Sequence, residues 1–353
     1  MQVPRRFFVA VVCLLFAAFL SPADAFAPGP LGQLQTELST MSMHAPGHVG
    51  IMVQDLATGL SSSVNATAQM PAASTIKIPV MVEVFKQLEA GNFDLNRLVT
   101  LQQSDKDWGW GDLSGARNGS RFPVSRLLTL MITESDNTAT NMLIRLVGRT
   151  RINDEMAELG LTQTALHDYI RSDGPIRYAL RSSAYDMIKL MSAMAHYQLI
   201  DEWSSREMIS IMTGQHHNGL IPAPLPAGTT IAHKTGELHD TLDDVGVVFL
   251  NNAPYAIAVM TTNLSTLDAG YTFIHGVSRI AYQELARFAA WRQANDFSVP
   301  IDPAAAPAPP AVLNPVITTN PAPDTRMWTP TNQPASALPV NPPAPPVENP
   351  PAN

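Results

Sequence analysis

The order of the predicted secondary-structure elements constrains the fold of this 353-residue chain most strongly. A strand pattern, HVGIMVQDLATG, comes first, and a helical middle follows it. The strand patterns TIAHKTGEL, DVGVVFLN and YAIAVMTTN come late, read as an antiparallel trio, and precede an amphipathic helix at 271–291. This order predicts an α/β (α+β) fold, in which an antiparallel sheet is flanked by helices and the middle forms an all-helical subdomain.

The helices of the middle follow from the spacing of apolar residues. That spacing predicts helices at 74–90, 125–133, 138–147 and 183–194, and PLGQLQTELSTM shows it before the first strand. Gly91 and Gly148 follow two of these segments, where glycine commonly ends a helix.

The two ends of the chain differ in composition from the middle. Two arginines precede an apolar run at 7–20 and an A-D-A cleavage pattern, which predicts a secretory signal peptide at 1–25, with an uncleaved anchor as the alternative. Proline, alanine and asparagine dominate 300–353, and proline removes amide donors, so this segment is predicted to be a disordered tail. We therefore expect one folded, catalytic domain at 26–299 in a secreted or periplasmic protein.

Charge and cysteine content exclude several classes of function. Cys13 is the only cysteine and would leave with the signal peptide, so disulfides, thiolate catalysis and cysteine-ligated metals are excluded from the mature protein. A formal net charge of −8 does not favour broad binding to nucleic acid or to anionic lipid. We expect no nucleic-acid partner and no stable membrane insertion after the signal is cleaved.

A serine and a lysine lie three residues apart in PAASTIKIPVMVEVF, at the start of the helix predicted at 74–90. This spacing puts Ser74 and Lys77 on one helix face. A partly buried lysine loses its proton more easily, so Lys77 could activate Ser74 as a nucleophile without a histidine. The S-x-x-K pattern alone occurs often by chance and carries little weight by itself.

Two further motifs make a chance match negligible. S-D-N at 135–137 lies in a short polar loop between two apolar helices, and K-T-G at 234–236 lies on a predicted strand. The loop can lower a second hydroxyl and an amide into a cleft, and the strand can offer a cation and a hydroxyl to a substrate carboxylate. Gly236 would let a substrate backbone approach closely.

The three motifs, in this order, resemble those of the class A serine β-lactamases and the related penicillin-binding proteins. Their flanks, LMITESDNTATNMLI and GLIPAPLPAGTTIAHKTGEL, belong to the resemblance, which covers most of residues 30–291. The resemblance implies a β-lactamase/transpeptidase-like fold and a serine enzyme that needs no cofactor and no metal.

The resemblance implies a catalytic role for each matching residue. Ser74 would be the acylated nucleophile, and Lys77 would accept its proton directly or within a relay. Ser135 would carry the proton towards the leaving amine, and Lys234 would tune Ser135. The backbone amides of Ser74 and Glu237 would form the oxyanion hole.

The resemblance also implies substrate contacts. Asn137 would hold the side-chain amide of the substrate, and Thr235 would bind its carboxylate together with the lysine before it. Asp136 would be structural. Trp108 or Trp110 would lie at the mouth of the cleft, where stacking on a ligand and ordinary packing both remain open.

The chain departs from the family pattern in the Ω-shaped loop, LHDYIRSDGPIRYALRSS at 166–183, which contains no glutamate. The water-activating glutamate of the family would fall on Ile170. Asp168 and Asp173 are the available substitutes, but both could merely cap turns. We assign Asp173 to a turn and keep Asp168 as the candidate base, while His167 could also activate water. Aspartate is one methylene shorter, and a misplacement of about 1 Å can cost roughly 100-fold in rate. The sequence thus predicts intact acylation and doubtful deacylation.

Other chemistry is not favoured. The histidines lack a helical H-x-x-x-H spacing and a neighbouring carboxylate cluster, so no metal site is predicted at His216, His217, His233 or His239. No phosphate-binding glycine loop is present. We expect a monomer whose substrate is a small-molecule β-lactam or a peptidoglycan stem peptide.

The leading hypothesis is an exported serine hydrolase that opens β-lactam rings through an acyl-serine intermediate, as in antibiotic resistance. A D,D-peptidase would instead release D-alanine from peptides that end in D-Ala-D-Ala. A β-lactam sensor module would be acylated once and hold the acyl group, with its tail contacting a partner. An esterase would turn over esters without responding to β-lactams.

Overall fold

A computed structural model describes residues 30–174 and 179–295. The predicted signal peptide at 1–25 and the predicted tail at 300–353 lie outside the described residues. Within the described part, no helix combines the length and the apolar composition needed to cross a bilayer.

The main elements follow the predicted order. The strands are β1 (His48–Asp55), β2 (Ser61–Val64), β3 (Met70–Pro71), β4 (Leu98–Thr100), β5 (Arg121–Pro123), β6 (Ala165–Leu166), β7 (Leu180–Ser182), β8 (Ile231–Leu238), β9 (Thr241–Val248) and β10 (Tyr255–Thr262). The α-helices are α1 (Pro30–Met43), α2 (Lys77–Glu89), α3 (Val124–Thr133), α4 (Asn137–Val147), α5 (Arg149–Glu158), α6 (Ala184–Ala195), α7 (Glu202–Thr213) and α8 (Leu267–Ala294). Short 3₁₀ turns lie at Ala73–Ile76, Gln103–Asp105 and Leu113–Gly115. The short strands β4 to β7 were not predicted, and the middle of the chain is therefore not all-helical.

A five-stranded sheet with the order β2-β1-β10-β9-β8 forms the centre of the fold. All its neighbouring strands run antiparallel, with His48 opposite Thr262 and Leu238 opposite Thr241. The late strands therefore pair as an antiparallel trio, and β8, which carries the K-T-G motif, lies at one edge. The predicted fold class is confirmed.

The sheet separates two hydrophobic cores. On one face, α1 and α8 contribute buried residues such as Leu34, Ile274 and Leu285. On the other face, Met52 and Val245 of the sheet belong to the core of the helical middle. Because alternate residues of a strand point to opposite faces, β1 and β9 supply both cores. The sheet edge and the helical middle thus meet where the S-x-x-K segment begins α2.

Three details differ from the sequence prediction. Ser74 lies in the 3₁₀ turn at Ala73–Ile76, and the α-helix starts only at Lys77. The last helix begins at Leu267, where Thr266 caps it by accepting from the Ala269 amide, rather than at 271. Helices α5 and α7 were not predicted, because their apolar residues are sparse between polar ones, as in RTRINDEMAE.

Candidate active site

The three sequence motifs meet in one cleft. Two adjoining cavities, of about 250 and 710 Å³, share Ser74, Trp110 and Glu237 in their walls. Ser135 and the strand β8 line the smaller cavity, and Asn137 lines the larger one. Segments far apart in the chain therefore surround the predicted nucleophile.

The turn that carries Ser74 is tightly held. Ala73 has a φ of 42°, in the left-handed region that a residue with a Cβ rarely adopts. The Thr75 amide and hydroxyl both donate to the Ala72 carbonyl, at 2.9 and 2.6 Å. Such a strained backbone persists only where its surroundings impose it, and it is common at functional sites. Ser74 itself is partly exposed at the cavity wall.

Lys77 is fully buried and holds the S-D-N loop. Its Nζ donates to the Ser135 carbonyl at 2.6 Å, lies 3.0 Å from the Ser135 Oγ, and donates to Asn137 Oδ1 at 2.8 Å. Burial lowers the pKa of Lys77 well below its ordinary value, and the positive charge of Lys234 lowers it further. Both effects favour the neutral amine, which is the form of lysine that can accept a proton.

Lys234 approaches the same hydroxyl from the sheet. Its Nζ donates to the Ser135 Oγ at 3.1 Å and to the Thr235 carbonyl at 2.8 Å. Burial lowers the pKa of Lys234 to about 7, although the nearby Asp244 opposes the shift. Ser135, with a φ of 56°, lies between the two amines. Its hydroxyl can accept from charged Lys234 while it donates to neutral Lys77, which makes a path for a proton.

Asp136 and Asn137 start the helix after this loop. Asp136 is buried and accepts from the amides of Ala139 at 2.7 Å and Leu113 at 2.9 Å, so it caps α4 and holds the neighbouring turn. Asn137 accepts from Lys77 through Oδ1, and its Nδ2 donates to a buried carboxylate, that of Asp107, at 2.7 Å. Its predicted contact with a substrate amide stays a prediction.

Strand β8 brings its K-T-G motif against the serine turn. A Cβ built on Gly236 would lie 2.9 Å from the Ala73 Cβ and 3.1 Å from the Ser74 nitrogen, so glycine allows this close packing. Thr235 and Glu237 line the smaller cavity on either side of it. Burial raises the pKa of Glu237, whose carboxylate accepts from the Tyr271 hydroxyl at 3.4 Å.

The two candidate tryptophans have different surroundings. The Trp110 ring lines both cavities beside Ser74 and meets His217 edge-on, with ring centres 5.6 Å apart. Trp108 is 74% exposed, lies 5.9 Å from the Lys106 ammonium, and lines a neighbouring cavity of about 530 Å³. Of the two, Trp110 lies where a ligand of Ser74 would meet it.

The loop after the second motif turns its aspartates away from Ser74. Asp168 has a side chain 64% exposed, lies 3.8 Å from Arg149, and does not line either Ser74 cavity. Asp173 lines the neighbouring 530 Å³ cavity. Ile170, only 2% exposed, lines the larger Ser74 cavity instead. The described part of this loop therefore contributes Ile170, Ser172, Gly174 and Leu180 to the larger Ser74 cavity, and no carboxylate.

Two residues at the site were not predicted to belong to it. Asp107 accepts hydrogen bonds from Asn137, Ser172 and Gly109. His217 lines the smaller cavity, and its Nε2 meets no hydrogen-bond partner among the described residues. Asp107 lies in the DWGWGDL stretch and His217 in a His-His pair, but neither sequence pattern indicates which side chain points into the cleft.

Comparison with known proteins agrees with this geometry. The family model described as the Beta-lactamase enzyme family matches residues 33–285. The chain belongs to this family. It is 26% identical over 313 residues to the extended-spectrum β-lactamase PER-1 of Pseudomonas aeruginosa, covering 82% of this chain and 99% of PER-1. The resemblance inferred from the motifs is confirmed.

Solved structures of the β-lactamase fold superpose on the described domain. PBP-A is 31% identical, with a TM-score of 0.69, over 73% of this chain and 97% of its own. A β-lactamase of Sphaerobacter thermophilus is 28% identical, with a TM-score of 0.66, over 71% and 96%. A leucine-to-glutamate variant of PBP-A, solved as an acyl-enzyme complex with penicillin G, is 30% identical, with a TM-score of 0.69, over 74% and 98%.

The functional groups described in the cleft of this β-lactamase-family hydrolase are side chains and backbone amides of the protein. Among residues 30–174 and 179–295, no cluster of three or more His, Cys, Asp or Glu side chains has a metal-binding arrangement. The groups gathered at Ser74 are two amines, a hydroxyl and an amide. Their combination can move protons and bind an anion.

Proposed function

We propose that this protein opens β-lactam rings by acylation of Ser74, in the manner of a class A enzyme. The observation that carries the proposal is the position of the Ser135 hydroxyl between Lys77 and Lys234, beside the cavity of Ser74. Neutral Lys77 takes the Ser74 proton as the Ser74 Oγ attacks the lactam carbonyl. Ser135 then passes a proton from Lys77 to the lactam nitrogen as the C–N bond breaks.

Residues in the walls of the cleft bind the substrate. The backbone amides of Ser74 and Glu237 stabilise the oxyanion, and in other hydrolases one such donor is worth about 3 kcal/mol. Lys234 and Thr235 bind the carboxylate of the substrate. Trp110 packs against the ligand at the mouth of the cleft.

We further propose that the acyl group leaves slowly. Hydrolysis of the acyl-serine ester needs a base that activates a water molecule beside Ser74. Ile170 occupies the cavity wall where the family has a glutamate, and Asp168 lies at the surface beside Arg149. We therefore do not assign Asp168 the role of base, and a long-lived acyl-enzyme is expected.

The deciding experiment follows intact protein mass over time after mixing with excess benzylpenicillin, with Ser74→Ala as the matched control. We expect a penicillin adduct on the native protein that persists for hours, and no adduct on the control. An adduct that disappears while penicillin is consumed would show efficient turnover and contradict slow release. An unmodified native protein would overturn acylation altogether and favour an esterase.

A second candidate function is that of a D,D-peptidase or penicillin-binding protein. The observation that favours it is the 31% identity to PBP-A together with the apolar Ile170. Release of D-alanine from a peptide ending in D-Ala-D-Ala, abolished in Ser74→Ala, would support it. A lasting adduct without any D-alanine release would instead favour a β-lactam sensor.

Export is proposed from the sequence of the first 25 residues. The secreted or periplasmic protein should begin near residue 26, after the A-D-A pattern. Mass spectrometry of the exported protein would give that N-terminus. An intact N-terminus on a membrane-bound protein would contradict cleavage.

A further inference from the structure

Asp107 is a buried carboxylate at the cleft to which the proposed acylation assigns no role. It is 5% exposed, and its Oδ1 accepts from Asn137 Nδ2 at 2.7 Å and from the Gly109 amide at 3.0 Å. The Ser172 hydroxyl also donates to Oδ1, and the Ser172 amide donates to Oδ2 at 2.7 Å. Burial acts to raise the pKa of Asp107, but these hydrogen bonds outweigh it and lower the pKa. The carboxylate is therefore ionised at neutral pH.

The Asn137 side chain connects this carboxylate to Lys77. An ionised carboxylate can only accept hydrogen bonds, so the Asp107 side of Asn137 must be its NH₂, at 2.7 Å. The Asn137 oxygen then faces the Lys77 Nζ, at 2.8 Å, which can donate to it whether the amine is charged or neutral. The reverse orientation would place the Asn137 oxygen against the Asp107 carboxylate. Asp107 thus determines which end of the amide faces Lys77.

We propose that Asp107 is a positioning residue for Lys77, acting through the Asn137 amide, and that Ser172 ties this arrangement to the loop at 166–183. The proposal rests on the proposed acylation of Ser74. It assigns a role outside the three sequence motifs, because Asp107 itself touches neither Ser74 nor Lys77 in the hydrogen-bond network described above.

The charges around Lys77 come from three elements. Lys234 on β8 lowers the pKa of Lys77, while Asp136 at the start of α4 and Asp107 in the preceding loop raise it. Around Asp107 itself, the ionisable groups that line the adjoining 530 Å³ cavity are Lys106, Arg171 and Asp173. Neutralising Asp107 removes a negative charge from one side of Lys77 and leaves Lys234 in place.

The pH dependence of acylation gives the test. Acylation needs neutral Lys77, so its rate falls on the acid side as Lys77 gains a proton. In Asp107→Asn, the pKa of Lys77 drops, and this acid limb should move to lower pH by on the order of one unit, as expected for a charge one amide group away. The acylation rate on the plateau above this limb should also fall about tenfold, because an amide at 107 no longer dictates the orientation of Asn137.

The experiment measures the second-order rate of labelling by a fluorescent penicillin between pH 5 and 9. Ser172→Ala separates charge from hydrogen bonding, because it keeps the Asp107 carboxylate while it removes a hydroxyl that donates to Asp107 and accepts from Asn137 at 3.3 Å. Its acid limb should stay at the wild-type pH. Circular dichroism and thermal melting verify folding, and Asp107→Ser, which is smaller and also neutral, carries the same test if Asp107→Asn does not fold.

A lower plateau rate together with a shifted acid limb in the neutral variants, with an unshifted limb in Ser172→Ala, would establish the positioning role. A wild-type plateau rate or a wild-type acid limb in a folded neutral variant would overturn it, and a lower melting temperature in that variant would make Asp107 only a loop anchor. Wild-type protein that takes up no label would overturn the proposed acylation, and this role with it. The two failures are therefore distinguishable.

Discussion

At the residue scale, the chemistry of the cleft depends on two buried amines and one hydroxyl. Ser135 lies within 3.0 Å of the Lys77 Nζ and 3.1 Å of the Lys234 Nζ. Burial disfavours both ammonium charges, and the charge of Lys234 further disfavours that of Lys77. The motifs predicted that these residues share a cleft. Their mutual distances depend on the left-handed backbone of Ser135, which a sequence pattern does not specify.

Ile170→Glu should shorten the lifetime of the acyl-enzyme. The side chain at 170 lines the Ser74 cavity, so a carboxylate there can take a proton from an attacking water. General-base catalysis of this kind is worth roughly 10²- to 10⁴-fold in rate. The adduct lifetime after removal of free benzylpenicillin, followed by intact mass, measures the effect. Ile170→Gln has the same length without a base and should keep the native lifetime, whereas equal lifetimes for both variants would refute the role assigned to this position.

Carboxylate binding by Lys234 should weaken as pH rises through about 7. Burial holds the pKa of Lys234 at about 7, so the free protein loses this ammonium charge above that pH, while a penicillin carboxylate stays ionised. In Ser74→Ala, which cannot be acylated, the Kd for benzylpenicillin should rise about fivefold between pH 7 and 8. Calorimetric titration measures it.

The control for this pH dependence is Lys234→Arg on the same Ser74→Ala background. A guanidinium stays charged across this range, so its Kd should be flat with pH. A flat profile with Lys234 in place would show that its charge does not bind the carboxylate.

At the element scale, helix α4 carries both the S-D-N loop and the anchor of the loop at 166–183. Asn141 of α4 accepts from the Ile170 amide at 2.8 Å and donates to the carbonyls of Ile170 and Asp105, each at 3.0 Å. The periodicity of the sequence predicted α4. It did not show that Asn141 faces the loop, because an asparagine inside a helix is equally compatible with a solvated position.

Asn141→Leu should destabilise the protein by about 3 kcal/mol or more, since three buried peptide groups lose their partner and each costs about 1–3 kcal/mol. Urea denaturation measures the free energy of unfolding. Asn118→Leu, at an exposed asparagine, is the matched control and should change it by less than about 0.5 kcal/mol. Similar values for the two variants would show that Asn141 does not anchor the loop.

At the scale of the whole domain, the sheet is covered on both faces and α8 closes one of them. Leu285 and Phe288 of α8 belong to the core on that face, and Arg292 lies 3.4 Å from the buried Asp55. The last turns of α8 therefore belong to the core of the described domain. Amphipathic spacing predicted this helix at 271–291, and its first turn and its last three residues were missed.

A chain that ends at residue 299 should melt within about 2 °C of the full-length protein, since the proline-rich composition of 300–353 predicts a disordered tail. A chain that ends at residue 284 loses Leu285 and Phe288 and should melt at least about 10 °C lower. Thermal denaturation followed by circular dichroism compares the three. A lower melting temperature for the chain that ends at residue 299 would assign the tail a structural role.

Periodicity and short motifs are local patterns, so the amino-acid sequence was enough to predict the order of the main strands and helices and the residues of the three motifs, and to show that residues 166–183 contain no glutamate. The folded structure was needed to show that Ile170 and Trp110 line a cavity with Ser74 and that Asp168 is exposed to solvent. It also joined Asp107 to Lys77 through Asn137. The direction of each of these side chains is set by packing between segments distant in the chain, and no local pattern records that packing.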